Sequence, residues 1–162
     1  MAVTYSDFQG EIINPALHAL MRDEFNTSGS SILDTRFYPE FEMEYLAKRG
    51  EYIRWFADDS EFISGLSNGE TRQYNYTITY YIDNAHQYVK KFFETMVTDR
   101  LERLTKLLVQ NRTYEVSGAY KWHDCLVQNR SRLTRLNEVV EEAKDSIMFV
   151  EMQVSIMRTN TW

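Results

Sequence analysis

A chain of 162 residues with 43% hydrophobic and 14% aromatic content can bury a real core, which excludes a disordered chain. Its net charge of −6 argues against tight non-specific DNA binding as a primary role, and the lone cysteine, Cys125, excludes an internal disulfide framework. No run of about 18 uncharged apolar residues occurs, so no membrane-spanning helix is expected, and the opening MAVTYSDFQGEII lacks the basic and apolar regions of a secretory leader.

The charge is unevenly spread. Residues 1–70 hold thirteen acids and five bases, whereas residues 90–135 hold ten bases and five acids. Two readings are open: ordinary solvated faces, or an acidic surface of one copy meeting a basic surface of the next. Head-to-tail contact between unlike surfaces is what closes cyclic rings. With two prolines, six glycines and no repeat or linker, residues 1–162 read as a single domain.

In chain order, residues 6–25 are expected to be helical, with Ile13, Leu17, Leu20 and Met21 on one face. Asn14-Pro15 interrupts the pattern and suggests that the helix starts at Pro15. His18 sits beside the apolar stripe and reads as a core-edge or surface histidine. Residues 26–31 form a loop by composition. In residues 36–46, Phe37, Phe41, Met43 and Tyr45 alternate with Glu40, Glu42 and Glu44, a strand that Pro39 assigns to an edge. Residues 51–56 offer a second strand, expected to pair with the first as a hairpin. The glutamate row shares one strand face, but no His or Asp joins it at a metal-binding spacing, so an outward acidic face is expected.

Asp58-Asp59-Ser60 and residues 67–70 read as surface loops around a short apolar piece, 62–66, with Asn68-Gly69 a strong turn signal. Residues 73–83 carry the clearest pattern in the chain. Tyr74, Tyr76, Ile78, Tyr80 and Ile82 occupy every second position, which predicts a half-buried strand. From Val89 the spacing turns helical through Phe92, Phe93, Met96, Val97, Leu101, Leu104 and Leu108, predicting a long amphipathic helix that covers the sheet. It ends near residues 111–113. Residues 114–126 are poorly periodic, with a short strand possible around Trp122. Leu133, Leu136, Val139 and Ala143 fit either a short helix or a loop. Residues 148–156 alternate as a final strand at or beside the sheet centre, and residues 158–162 read as a polar tail in which Trp162 is a candidate anchor. The fold class is therefore α+β: a mostly antiparallel sheet of about four to five strands packed against a long amphipathic helix and an N-terminal helix.

Chemistry is scarce. In His123-Asp124-Cys125 neighbouring side chains of an extended chain point to opposite faces, and no oxyanion loop or orienting partner accompanies His123 and Cys125. No P-loop, GxGxxG, HExxH, GxSxG or paired CxxC is present, so no catalytic, metal or cofactor site is expected. Arg130, Arg132 and Arg135 form a basic cluster without interleaved aromatics, which suits an intersubunit or solvated face better than nucleic acid.

The opening helix ending near Phe25, the QYNYTITYYIDN strand feeding a helix at Ala85, and the closing MFVEMQVSIMRT strand together resemble the tail terminator (tail completion) proteins of long-tailed bacteriophages. The likeness is one of order and pattern over most of the chain. Residues 56–66 and 130–135 have no counterpart in it. The resemblance implies a non-enzymatic virion protein, made in the host cytoplasm, that forms a ring of usually six copies at the tail–neck junction. Such a ring caps the tail tube, meets a neck or connector protein, and lets DNA pass through its lumen. Glu40, Glu42 and Glu44 are then the candidates for a lumen- or partner-facing acidic row, and Arg130, Arg132 and Arg135 for an intersubunit basic surface. The rivals are another neck or stopper protein of head completion, a small ligand-binding domain or enzyme using His123 or the glutamate row, and a cellular adaptor domain.

Overall fold

The computed structural model describes residues 7–25, 36–38, 51–83, 90–135, 138–139 and 147–162. They form α1 (Asn14–Phe25), β1 (Arg36–Tyr38), β2 (Glu51–Leu66), β3 (Gly69–Asp83), α2 (Lys90–Gln110), β4 (Tyr114–Val116), β5 (Ala119–Trp122), β6 (Asp124–Arg130), β7 (Thr134–Arg135) and β8 (Ile147–Thr161). The class is α+β. The main sheet runs β1-β2-β3-β8-β6, with β7 also on β8, and β4 and β5 make a separate hairpin.

Strand β3 forms where the period-two pattern predicts it, and it pairs antiparallel with β8 from Gly69↔Thr161 to Asp83↔Ile147 without a register shift. Tyr74, Tyr76, Ile78, Tyr80 and Ile82 on β3 and Val150, Met152, Val154 and Ile156 on β8 are all buried. They share one face because side chains alternate along a strand. Ile13, Leu17, Met21 and Phe25 cover that face from the N-terminal helix, and Val97, Leu101, Leu104 and Leu108 cover it from α2. The long stripe expected from Val89 is thus seen only over its second half. The side chains of Val89, Phe92, Phe93 and Met96 lie outside the described residues.

The N-terminal helix does not wait for Pro15. A π turn, Gln9–Ile13, leads directly into α1, and the Asn14 N–H bonds to the Gln9 carbonyl, five residues back. Proline lacks an N–H, and its ring presses on the carbonyl four residues earlier in a regular α-helix. The wider π turn relieves that clash, and the helix continues through the proline. Asn14 itself accepts a hydrogen bond from Tyr76 Oη at 2.7 Å, which ties the helix to the sheet.

Three expectations need correction. The 36–46 and 51–56 strands were expected to pair as a hairpin, but β1 pairs parallel with β2, Arg36↔Tyr52 to Tyr38↔Arg54. The Asp58-Asp59-Ser60 loop does not exist. Instead β2 runs on to Leu66, absorbing those residues in the register shift between Ala57 and Ser60, with a second shift between Phe62 and Ser64. Residues 158–161 are strand rather than tail: the Asn160 side chain is fully buried and donates to Tyr74 Oη at 2.7 Å. The main sheet keeps the expected mostly antiparallel layout, with β6 as an edge strand beyond β8. Residues 26–31, 39–50 and 140–146, and with them Glu40, Glu42 and Glu44, lie outside the described residues.

Two glycines show what the sheet demands. At the β4–β5 turn Ser117 and Gly118 both have positive φ, 54° and 77°, the geometry that matches strand twist in a two-residue hairpin. Gly69 allows β3 and β8 to approach, since a Cβ there would stand 2.0 Å from the Asn160 carbonyl oxygen. Gly69→Ala is expected to destabilise the fold by about 1–3 kcal/mol, as other overpacking changes do. Urea denaturation checks this, and an unchanged midpoint would contradict the close approach.

Candidate functional site

The His123-Asp124-Cys125 segment falls between β5 and β6, and the structure separates its members. His123 is exposed, stacks on the Tyr120 ring at 5.1 Å, and accepts the Thr159 backbone N–H on Nδ1 at 3.2 Å. Asp124 receives Arg112 through Nε at 2.5 Å and Nη2 at 3.2 Å, and this guanidinium holds its carboxyl below the usual range. Cys125 points into the core, 2% exposed. Burial, with Asp124 adding to it, pushes its thiol up to about 12. A buried thiol in that state is a poor nucleophile, and its would-be base faces elsewhere.

His18 is equally committed. Its Nδ1 accepts the Trp55 indole N–H at 3.2 Å. Burial, with Arg22 nearby, holds the imidazole below its usual range, and burial with Arg158 nearby does the same for His123. Among the described residues no three or more His, Cys, Asp or Glu are grouped to hold a metal ion.

Arg130 and Arg132 are exposed near the end of edge strand β6. Arg130 meets Glu102 of α2 at 3.3 Å across a surface gap, a pairing of small energetic weight when solvated. The side chain of Arg135 is outside the described residues. The structure therefore places Arg130 beside α2 and leaves Arg132 exposed two residues on, while the acidic row lies outside the described residues.

Two features were not anticipated from the sequence. The first is an acidic, hydrogen-bonded patch on the sheet face away from the helices. Thr77 Oγ1 donates to Asp58 at 2.7 Å, and Asn75 Nδ2 donates to Asp59 at 2.8 Å. Thr77 and Asn75 are two apart on one strand and share a face, so the two adjacent aspartates must also turn to that face. The irregularity between Ala57 and Ser60 makes this possible, because a bulge breaks strict alternation. Gln153 and Ser155 of β8 extend the network by donating to Thr77 at 3.2 Å and to Asn75 at 2.8 Å. With Glu61 and Gln128 these groups line a shallow depression of about 440 Å³. The side chains of Asn75, Thr77, Gln153 and Ser155 are all engaged, and the exposed carboxylates give the surface its sign.

The second feature is an arm. Every residue from 58 to 66 is exposed, so the outer half of β2 runs with β3 past the end of the core. At its tip Phe62, Ile63 and Leu66 are 60%, 45% and 49% exposed. Trp162, 70% exposed, is held beside them by its N–H bond to the Asn68 carbonyl at 2.9 Å. Single exposed apolar residues are ordinary, but three within residues 62–66 at one hairpin end make this a candidate contact surface. The sequence did carry the signal, an apolar run next to a turn, although a loop reading of Asp58-Asp59 disguised it.

No family model matches the chain, and no curated protein matches it. Among solved structures it is similar to the sheath/tube terminator of an extracellular contractile injection system, PVC, in the extended state. That likeness has a TM-score of 0.49 at 14% identity, covers 99% of this chain, and spans 59% of the other.

Two outcomes check the chemistry. Cys125 is expected to resist alkylation in the folded protein at neutral pH and to react once urea unfolds it. Equal rates in both states would contradict the burial. Both histidines accept a backbone or indole N–H on Nδ1, so the folded chain keeps them neutral where the unfolded chain, near 6.5, takes up a proton. Their contribution to stability is then complete above about pH 6.5 and is lost as pH falls through the lowered folded values. The urea midpoint should drop between about pH 7.5 and about pH 5.5, and His18→Gln should flatten that slope; a slope unaffected by the change would contradict the assignment.

Proposed function

We propose that this chain is a non-enzymatic structural protein that assembles with its own copies into a ring. The observation that carries this reading is the exposed arm of β2 and β3, whose tip residues Phe62, Ile63 and Leu66 have no core to enter. A solvent-facing apolar tip on a rigid hairpin is unfavourable in a lone chain and suits a neighbour's surface. The unequal charge along the chain supports the same reading, since unlike surfaces favour head-to-tail contact.

The finer assignment rests on the resemblance in element order to tail terminator proteins. On that reading the ring is a hexamer at the tail–neck junction of a phage virion, stopping the tail tube and meeting a neck or connector protein. DNA passes through its lumen without sequence-specific binding. Glu40, Glu42 and Glu44 present a lumen- or partner-facing acidic row, and Arg130, Arg132 and Arg135 belong to the intersubunit surface. Residues 1–162 act as a single domain, with no cofactor. The rival enzyme reading gains nothing from His123, which is turned away from the buried Cys125 thiol.

Electron micrographs and solution mass test the ring directly. Annuli with the mass of six copies are expected from concentrated protein. A chain that stays monomeric at every concentration and forms no annuli would contradict the proposal. Charge reversal of all three glutamates, Glu40→Lys with Glu42→Lys and Glu44→Lys, is expected to slow DNA passage or spoil assembly. Particles that carry the triple change and remain fully infectious with normal tails would remove the row's assignment.

A further inference from the structure

We propose that His123 is a pH-sensitive latch, closed while its imidazole is neutral, that ties the β4–β5 hairpin to the end of β8. Strand β6 pairs with β8 only as far as Asp124↔Met157. The His123 backbone N–H adds one further bond, to the Met157 carbonyl at 2.9 Å. Residues two apart on a strand turn their backbone groups to the same side, so the next N–H along this edge of β8 belongs to Thr159. The His123 side chain supplies its acceptor: Nδ1 takes the Thr159 N–H at 3.2 Å. One histidine thus lengthens the ladder by a rung, with a ring nitrogen in place of a carbonyl oxygen.

A carbonyl accepts at every pH, whereas this nitrogen accepts only in the neutral ring with the proton on Nε2. Protonation makes Nδ1 a donor facing another donor, and the rung is lost. The charges around the ring decide which form is held. Arg158 of β8 makes the hairpin's other tie, donating from Nη1 to the Tyr120 and Lys121 carbonyls. An imidazolium would be set against that guanidinium, with Lys121 of β5 a second cation nearby in the chain.

The carboxylates around the hairpin are Glu115, paired across it with Tyr120, and Asp7 and Glu11 of the N-terminal turn that packs on β5. Asp7 is engaged with the Gly10 N–H, and Asp124 is held by Arg112. The Tyr120 ring stacked on the imidazole at 5.1 Å offers some support to a cation. Burial and Arg158 prevail, holding His123 below its ordinary range. The closed form therefore takes up a proton less readily than the open one, so the latch is shut at neutral pH and opens as pH falls through the lowered value.

What opens is local. Trp122 stays in the core and donates to the Asn111 carbonyl at 2.8 Å, which keeps the base of the hairpin in place. Residues 115–120 are all exposed, and their place beside β8 depends on the ties made by Arg158 and His123. One proton on His123 breaks one tie and weakens the other. This device is independent of the ring reading above.

Hydrogen exchange read by mass spectrometry tests the latch, each rate being divided by the intrinsic rate at that pH. In the wild-type protein, protection of residues 114–122 and 159–161 should fall about fivefold or more between about pH 7.5 and about pH 5, relative to the centre of β3 and β8. Both His123→Gln and His123→Ala should abolish the fall, and the alanine variant should show the low protection at both pH values. His18→Gln should leave the fall in place, which separates this latch from the other shielded histidine. Wild-type protection that changes no more in these segments than at the sheet centre, or a His123→Ala protein that still shows the full fall, would overturn the proposal.

Discussion

Strands β3 and β8 pair without a slip from Gly69↔Thr161 to Asp83↔Ile147, yet the helices cover one face of that pair over only part of its length. Where they do cover it, tyrosines and aliphatics from both strands are sealed beneath Leu17, Met21, Leu101 and Leu104. Where they do not, β3 turns back into β2, whose residues 58–66 all meet solvent. The polar opposite face, the charged patch and the arm all follow from this partial cover. A sheet that is longer than its helices leaves an end that its own chain cannot finish.

The polar face shows how that exposure is tolerated. Asn75, Thr77, Gln153 and Ser155 exchange hydrogen bonds across the strands and hand the remaining donors to Asp58 and Asp59. The buried hydroxyls of Thr77 and Ser155 thereby find partners, which keeps their desolvation from destabilising the sheet. At the opposite edge, Trp122 closes the end of α2 by donating to the Asn111 carbonyl at 2.8 Å, and Arg158 fastens the β4–β5 hairpin through the Tyr120 and Lys121 carbonyls. The C-terminal end of α2 and the β4–β5 hairpin are thereby fixed.

Much of this was legible in the residues where periodicity was strong. Tyr74 through Ile82 alternate without a break, and the structure buries every member of that series. The helix through Leu17 and Met21 was equally plain, although the π turn that carries it past Pro15 leaves no local mark. Legibility failed where one rule masked another. Adjacent aspartates at 58 and 59 have loop composition, and only the pairing with Asn75 and Thr77 shows that a bulge keeps them in a strand. Arg158 to Thr161 look like a solvated tail until Asn160 is seen bonded to Tyr74. The parallel pairing of β1 with β2 had no signal in either segment, because parallel and antiparallel partners share the same propensities. As for the site, His123, Asp124 and Cys125 drew attention by residue type, whereas the arm depends on how far the helices extend, which is a property of the fold.

Hydrogen–deuterium exchange, followed as the protein is diluted, tests most directly whether the arm is completed by a neighbour. At high concentration the amides of residues 62–66 should slow, while the centre of β3 and β8 stays unchanged. Rates over residues 58–66 that are the same at every concentration would contradict the account.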